Sequence, residues 1–128
     1  MVPVTAFFAG LFGLILVVLS VNVILNRMRF KVALGHGNHQ EMERKIRAHG
    51  NFVEYVPMAL ILMALCELSS VNPAWLHALG YVLLLGRLFH LYSIVVDELT
   101  STRMLFRKIG MVATFTVIVI LSLLALSA

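Results

Sequence analysis

The stretch Pro3–Leu25, PVTAFFAGLFGLILVVLSVNVIL, decides the fold because it runs without a charged residue. A bilayer core is crossed by about 20 mostly apolar residues in a helix. Three further apolar stretches follow and predict helices at about 38–68, 74–96 and 108–127. Irregular backbone cannot face lipid, so each stretch should be helical. The sequence therefore predicts an all-α integral membrane four-helix bundle with four transmembrane helices.

The composition supports a membrane protein of one domain, residues 1–128. Hydrophobic residues make up 61% of the chain and charged residues 12%, whereas a soluble domain is about 45–50% apolar and about 25% charged. A soluble fold of this size leaves too much surface wet to bury the excess. The single cysteine, Cys66, excludes an internal disulfide and a CxxC site, and we interpret it as a small hydrophobic residue.

The distribution of basic residues predicts the orientation. All ten lysines and arginines except Arg87 lie in the first and third connections, whereas the second connection, 69–73, has no charge. The positive-inside rule places the basic connections in the cytoplasm and both termini outside. The net charge of +4 is then a topology and lipid-headgroup signal, and no nucleic-acid partner is expected. No basic residue precedes the first apolar stretch, which favours a retained span over a signal peptide.

The second helix is predicted to begin before the membrane. The breaker Gly35-His36-Gly37 precedes Asn38, which is a candidate N-cap with Glu41 three residues later, as in a capping box. The first two turns of this helix should stand in water. His36 and His39 have a spacing compatible with metal, but no third ligand is evident and no metal site is predicted.

A polar face interrupts the start of the second span. Arg47, Asn51 and Glu54 follow one another at i, i+4 and i+7, which places them on one side of a helix. A cation, an amide and an anion together can bind a zwitterionic ligand, with the guanidinium taking a carboxylate. The alternative is an Arg47–Glu54 ion pair that ties helices together. Pro57 should bend the helix beside this face. His49 points elsewhere and is expected to be solvated.

A second polar group lies on the third helix. Arg87 and His90 share a face at i, i+3, two to three turns below the cytoplasmic surface. An intramembrane cation needs a partner, and Glu54 lies at a similar depth on the neighbouring helix. Structural pairing and ligand binding are equally compatible with Arg87. Glu67 and His77 belong near the outer ends of their helices and are assigned no chemistry.

The motif Arg47-x-His49-x-Asn51-x-x-Glu54-x-x-Pro57 resembles the signature of the MAPEG family, membrane-associated proteins in eicosanoid and glutathione metabolism. The resemblance covers the whole chain, including four spans, a long basic first connection and a short second one. The stretch from Ala48 to Pro57 looks like bacterial members, which implies the inner (cell) membrane. The family implies a homotrimer that holds glutathione, as co-substrate, between adjacent subunits near the cytoplasmic face.

The resemblance also implies site residues. Arg47, Asn51 and Glu54 match the glutathione-binding motif, and Tyr55 matches a tyrosine that some members use beside it. The remaining matches come from other helices: Arg27 or Arg29 at the end of helix one, Arg87 and His90 on helix three, and Arg103 near the thiol as the catalytic candidate. Two positions depart from the pattern, because Ile94 replaces a tyrosine after the histidine and Met104 replaces a serine after Arg103.

Three functions remain open from the sequence. The first is a glutathione-dependent transferase or peroxidase that acts on apolar, lipid-like electrophiles from the bilayer. The second is a non-catalytic lipid- or partner-binding protein of the same fold. The third is a small proton-coupled transporter or channel using Glu54, Arg87 and His90, which the apolar outer half of the bundle disfavours.

Overall fold

The bundle consists of four long helices. The computed structural model describes residues 1–95 and 101–127, and it contains α1 (Pro3–Phe30), α2 (Gln40–Leu68), α3 (Pro73–Val95) and α4 (Ser101–Ser127). All four are long and apolar enough to cross a membrane, and the described residues include no strand. The predicted all-α bundle of four transmembrane helices is confirmed. The predicted end of the third helix, at residue 96, lies outside the described residues.

Two helices are longer than the apolar stretches that predicted them. α1 continues past residue 25 to Phe30, and α4 begins at Ser101, well before residue 108. The prediction treated the apolar stretch as the whole helix, but arginine and lysine are good helix formers. Arg27 and Arg29 in the last turn of α1 also face the negative end of its dipole. The basic residues therefore extend these helices beyond their apolar stretches.

The predicted N-cap of α2 is wrong. His39 occupies the N-cap position without a side-chain hydrogen bond, and Asn38 has a positive φ of 63°. The backbone N–H of Asn38 donates to Nδ1 of the His36 ring at 3.1 Å. Asparagine tolerates the left-handed region because its short polar side chain bonds locally, so Asn38 forms the turn before the helix.

Arg27 organises the connection between α1 and α2. Its Nη1 donates to the carbonyls of Val32, Ala33 and Gly35 at 3.4, 3.2 and 3.0 Å. Beside this contact, the rings of Phe30 and His39 stack with centroids 4.4 Å apart. The connection is thus folded back against the end of α1 by one guanidinium that satisfies otherwise free loop carbonyls.

Glu67 joins the C-terminal end of α2 to the N-terminal end of α1. Its carboxylate accepts hydrogen bonds from the Val4 and Thr5 amides, both at 2.8 Å, and from Thr5 Oγ1 at 2.7 Å. The first N–H groups of a helix lack partners within the helix and carry partial positive charge. Glu67 therefore supplies the N-terminal cap of α1 from another helix, a role that the sequence analysis missed.

Replacing Glu67 with alanine should lower the free energy of unfolding by about 1–3 kcal/mol, because the buried end of α1 loses a charged acceptor. Glu67→Gln keeps one oxygen and should lose less. Thermal unfolding in detergent, followed by circular dichroism, measures both variants. Glu41→Ala removes a carboxylate from an exposed ion pair with Arg29 and should cost under about 1 kcal/mol. Equal loss for Glu41→Ala and Glu67→Ala would contradict the capping role.

Glycines allow α3 to approach its neighbours. A Cβ at Gly86 would lie 2.9 Å from the Cβ of Ala113 on α4. The Phe8 ring of α1 packs directly over Gly80 and is fully buried. These contacts hold α3 tightly against α1 and α4 and so fix the position of Arg87 and His90 on the C-terminal half of α3.

Candidate functional site

The polar face of α2 points away from the interior of the bundle. Arg47 and Glu54 are exposed, and Asn51 is half-buried between them. The opposite side of the same helix turns carries Phe52 and Val56, both 2% exposed. Burial of the apolar side against the core therefore turns Arg47 and Glu54 outward. Asn51 lies at the boundary between this polar face and the core.

Glu54 forms no ion pair with Arg87 or Arg47 within the described residues. The expected Glu54–Arg87 partnership is wrong because Glu54 lies on the outward side of α2, whereas Arg87 is fully buried. Arg47 and Glu54 are also separated by seven residues, or about 10 Å along a helix. The carboxylate of Glu54 is consequently available on a face that belongs to a membrane-spanning helix.

Arg87 bonds to Asn51 of α2. Arg87 Nη2 donates to Asn51 Oδ1 at 2.5 Å and lies 3.4 Å from His90 Nδ1. Arginine has no acceptor, so the His90 Nδ1 must accept and the ring proton belongs on Nε2. The guanidinium also lies 5.9 Å from the centroid of the Phe52 ring. The structure thus brings together three of the predicted site residues: Asn51, Arg87 and His90.

Arg87 is buried too completely to contact a ligand on the outward face of α2. Its side chain is 0% exposed, and His90 is 1% exposed. Within the described part of the chain, Arg87 Nε and Nη1 have no hydrogen-bond partner. Since Arg87 is buried and bonds to the half-buried Asn51, Asn51 lies between Arg87 and the outward face of α2.

α4 supplies a wall of the site that the sequence analysis did not identify. Asn51 Nδ2 points to Met111 Sδ at 3.7 Å, and the Tyr55 and Phe115 rings meet edge to face at 5.3 Å. Met111 and Phe115 are four residues apart and so share one side of α4. Their spacing is the same as that of ordinary packing residues, so no signal in the sequence distinguishes them.

A basic cleft opens at the end of the polar face that carries Arg47. Its volume is about 450 Å³, and it lies between the ends of α2, α3 and α4. Its lining residues are Gln40, Glu43, Arg44, Arg47, Ile94 and Arg107. A second cavity of about 320 Å³ adjoins it through Arg107 and includes Met104, Lys108 and Met111. The cleft therefore brings three arginines, Arg44, Arg47 and Arg107, together at this end of the polar face.

The other predicted basic residues occupy different surroundings. Arg27 is engaged with carbonyls of the first connection, and Arg29 is exposed and pairs with Glu41 at 3.4 Å. Arg103 is half-buried in the first turn of α4, one turn before Arg107. Arg27 and Arg29 therefore belong to the α1 side of the molecule, while Arg103 belongs to the helix that carries the cleft.

His49 is a structural contact between helices. Its Nε2 lies 3.0 Å from Ser20 Oγ of α1, and that hydroxyl also donates to the Leu16 carbonyl at 2.8 Å. Since the hydroxyl proton goes to Leu16, the His49 nitrogen donates to the oxygen. The expectation of a solvated histidine was wrong, because its half-buried side chain turns toward α1.

Comparison with known proteins agrees with the signature on α2. The model of the MAPEG family matches residues 5–127. The chain is 42% identical over 90 residues to the inner membrane protein YecN of Escherichia coli strain K12, which covers 70% of this chain and 69% of that protein. YecN of Escherichia coli O6:H1 matches with the same identity and coverage.

Proposed function

The chain belongs to the MAPEG family, and from this premise we propose that it is a membrane-bound, glutathione-dependent transferase or peroxidase. Its second substrate would be an apolar electrophile that enters from the bilayer. The observation that supports this proposal is the outward face of α2, where Arg47, Asn51 and Glu54 expose complementary groups inside a membrane span. Ionisable groups within spans are costly and usually serve a function.

Glutathione has the charge pattern that this face would bind. It carries two carboxylates, one ammonium and a thiol. Arg47 can take a carboxylate bidentately, and Glu54, which has no ion-pair partner among the described residues, can take the ammonium. Tyr55 borders the same face through its contact with Phe115. The cations of the cleft would draw the anionic peptide toward these residues.

The chemistry requires a thiolate. A nearby cation lowers a thiol pKa from about 8.5 toward neutrality, and we assign this role to Arg103, with Arg107 close by on the same helix. The thiolate then displaces a leaving group from an apolar electrophile and forms a thioether. With a hydroperoxide, two glutathiones are oxidised to the disulfide while the peroxide is reduced to an alcohol and water. Met111 and Phe115 provide an apolar wall beside the thiol.

The proposed assembly is a homotrimer in the inner membrane, with both termini outside the cytoplasm. A second copy placed against α2 would cover the exposed Glu54 and could bring Arg27 or Arg29 of its own α1 to the ligand. The name of the relatives, inner membrane protein, supports the location.

The test uses purified protein, glutathione and a chloronitrobenzene electrophile. Glu54→Ala should raise the KM for glutathione about tenfold or more, because the ammonium loses its counter-ion. Arg103→Ala should lower kcat by about 10–100-fold through loss of thiolate stabilisation. Lys45→Ala, which removes a cation outside the proposed site, should behave like the original protein.

Equal rates for the unaltered protein, Glu54→Ala and Arg103→Ala would remove both residues from the mechanism. Calorimetry separates the remaining alternative. If glutathione gives no heat of binding and no turnover is detected, the non-catalytic lipid- or partner-binding function replaces the enzymatic one.

A further inference from the structure

We infer that the buried Arg87 is a positioning residue, which holds the side-chain amide of Asn51 with its NH2 group directed outward as an obligatory donor. The ligand group bound at Asn51 must then be an acceptor oxygen, either a carboxylate or a peptide carbonyl. Only the identity of the ligand, glutathione, rests on the proposed function. The orientation of the amide rests on the contacts of Asn51, Arg87 and Met111.

The Arg87 guanidinium permits one orientation of the amide. Its Nη2 lies 2.5 Å from Asn51 Oδ1. A guanidinium has only donors, so rotating the amide by half a turn would place its NH2 group against another donor. The oxygen and nitrogen of an asparagine are normally assigned from such networks. Here the cation requires the oxygen on its own side.

The requirement is strong because Arg87 has few other acceptors. The side chain is 0% exposed, and its Nε and Nη1 have no partner within residues 1–95 and 101–127. Its remaining polar contact is His90 Nδ1 at 3.4 Å. A buried cation in a membrane span is costly when unpaired. Loss of the Asn51 oxygen would leave Arg87 without any oxygen acceptor among the described residues.

The outward NH2 group of Asn51 is only weakly engaged. Its Nδ2 lies 3.7 Å from Met111 Sδ, and a thioether sulfur is a weak acceptor. A carboxylate or carbonyl oxygen from a ligand would form a shorter and stronger hydrogen bond. The thioether of Met111 is flexible enough to move aside. An ammonium or another donor at this position would meet the NH2 group and be rejected.

This assignment divides the ligand between two residues of α2. Glu54 takes the ammonium, and Asn51 takes an oxygen one turn closer to the N-terminus of α2. Arg87 itself does not touch the ligand, because it is enclosed behind Asn51. Arg87 therefore determines which ligand groups can bind at Asn51, because it fixes the orientation of the Asn51 amide.

The first experiment tests the orientation without any ligand. Asn51→Asp keeps an oxygen toward Arg87 and adds a negative charge, so its Tm in detergent should rise by a few degrees. In an Arg87→Met background the same substitution should lower the Tm, because the new carboxylate then has no cation. Arg87→Met makes α3 more apolar and so does not hinder membrane insertion. Asn22→Asp on α1 is the matched control and should give the same change in Tm in both backgrounds.

The second experiment measures glutathione binding by calorimetry. Arg87→Met should weaken binding about tenfold, as expected for the loss of one oriented hydrogen bond, and Arg87→Lys should recover part of that loss. Asn51→Asp should weaken binding by more than about tenfold, because the carboxylate oxygen that replaces the NH2 group would face an acceptor oxygen of the ligand. Asn51→Asp would then be more stable and bind less, a combination that a purely structural role would not produce.

The outcomes separate the two levels of the proposal. If Asn51→Asp changes the Tm equally in both backgrounds, the orientation by Arg87 is wrong. If the Tm values depend on Arg87 but Arg87→Met binds glutathione as tightly as the unaltered protein, the role in specificity is wrong. If the unaltered protein binds no glutathione, the proposed function fails, while a Tm effect that depends on Arg87 would still support the orientation.

Discussion

A Gly110→Leu variant is expected to lose the native packing of α4 against α3. A Cβ at Gly110 would lie 2.9 Å from both the backbone nitrogen and the Cβ of His90, and it would press even closer to the Gly86 carbonyl. Backbone atoms cannot rotate away, so the helices must separate. Overpacking that a core can absorb costs about 1–3 kcal/mol, and a clash with two backbone segments should exceed this range. The loss should reach most of the stability of the bundle.

Thermal unfolding and size-exclusion profiles of the variant in detergent measure this effect. The matched control is Gly13→Leu on α1, where an added Cβ meets nothing within 4 Å. This control should keep the original Tm or raise it slightly, since leucine favours helix over glycine. If Gly110→Leu unfolds at the same temperature as Gly13→Leu, the close approach of α3 and α4 at Gly86 and Gly110 is wrong.

The second large effect is expected for Asn51→Leu. Arg87 would remain buried, but its 2.5 Å hydrogen bond to the Asn51 oxygen would be gone. Removing the acceptor of a charged donor costs about 1.5–3 kcal/mol, and the desolvated cation adds to this cost. Chemical or thermal unfolding in detergent should therefore show a large decrease in the free energy of unfolding.

A double variant tests the cause of that decrease. Adding Arg87→Met to Asn51→Leu removes the buried cation together with its missing acceptor, and it should recover at least half of the lost stability. Asn22→Leu serves as the control for the loss of an asparagine from a spanning helix. If the double variant is less stable than Asn51→Leu alone, Arg87 has stabilising contacts other than the one to Asn51.

Much of the fold could be predicted from hydrophobicity and charge because the solvent imposes the structure. Lipid forces apolar stretches such as Pro3–Leu25 to be helical, whatever their packing. The ends of the helices were less predictable. Basic residues at 27–29 and 101–108 belong to helices but resemble connections in composition. The capping role of Glu67 was also missed, since its partners Val4 and Thr5 are more than sixty residues away.

The candidate site was predictable in part for a similar reason. The i, i+4, i+7 spacing places Arg47, Asn51 and Glu54 on one side of α2, because helical periodicity is a local property. The partner of Arg87 was predicted incorrectly as Glu54. Both acceptors lie on α2 at nearby depths, and only the rotation of α2 against α3 determines which of them faces the guanidinium.

The sequence by itself determined that four helices cross a membrane, that one side is basic and that α2 carries a cation, an amide and an anion on one face. Hydrophobicity and periodicity suffice for those features because they depend on residues close together in the chain. The tertiary structure alone decided that Asn51 serves Arg87, that Glu54 faces outward, and that Met111 and Phe115 form a wall of the site. These contacts depend on the rotation of each helix about its axis. The rotation of α2 follows from burial of Phe52 and Val56 against the core. Close packing at Gly80, Gly86 and Gly110 positions α3 against α1 and α4, because the absence of a side chain lets one helix fit against the next.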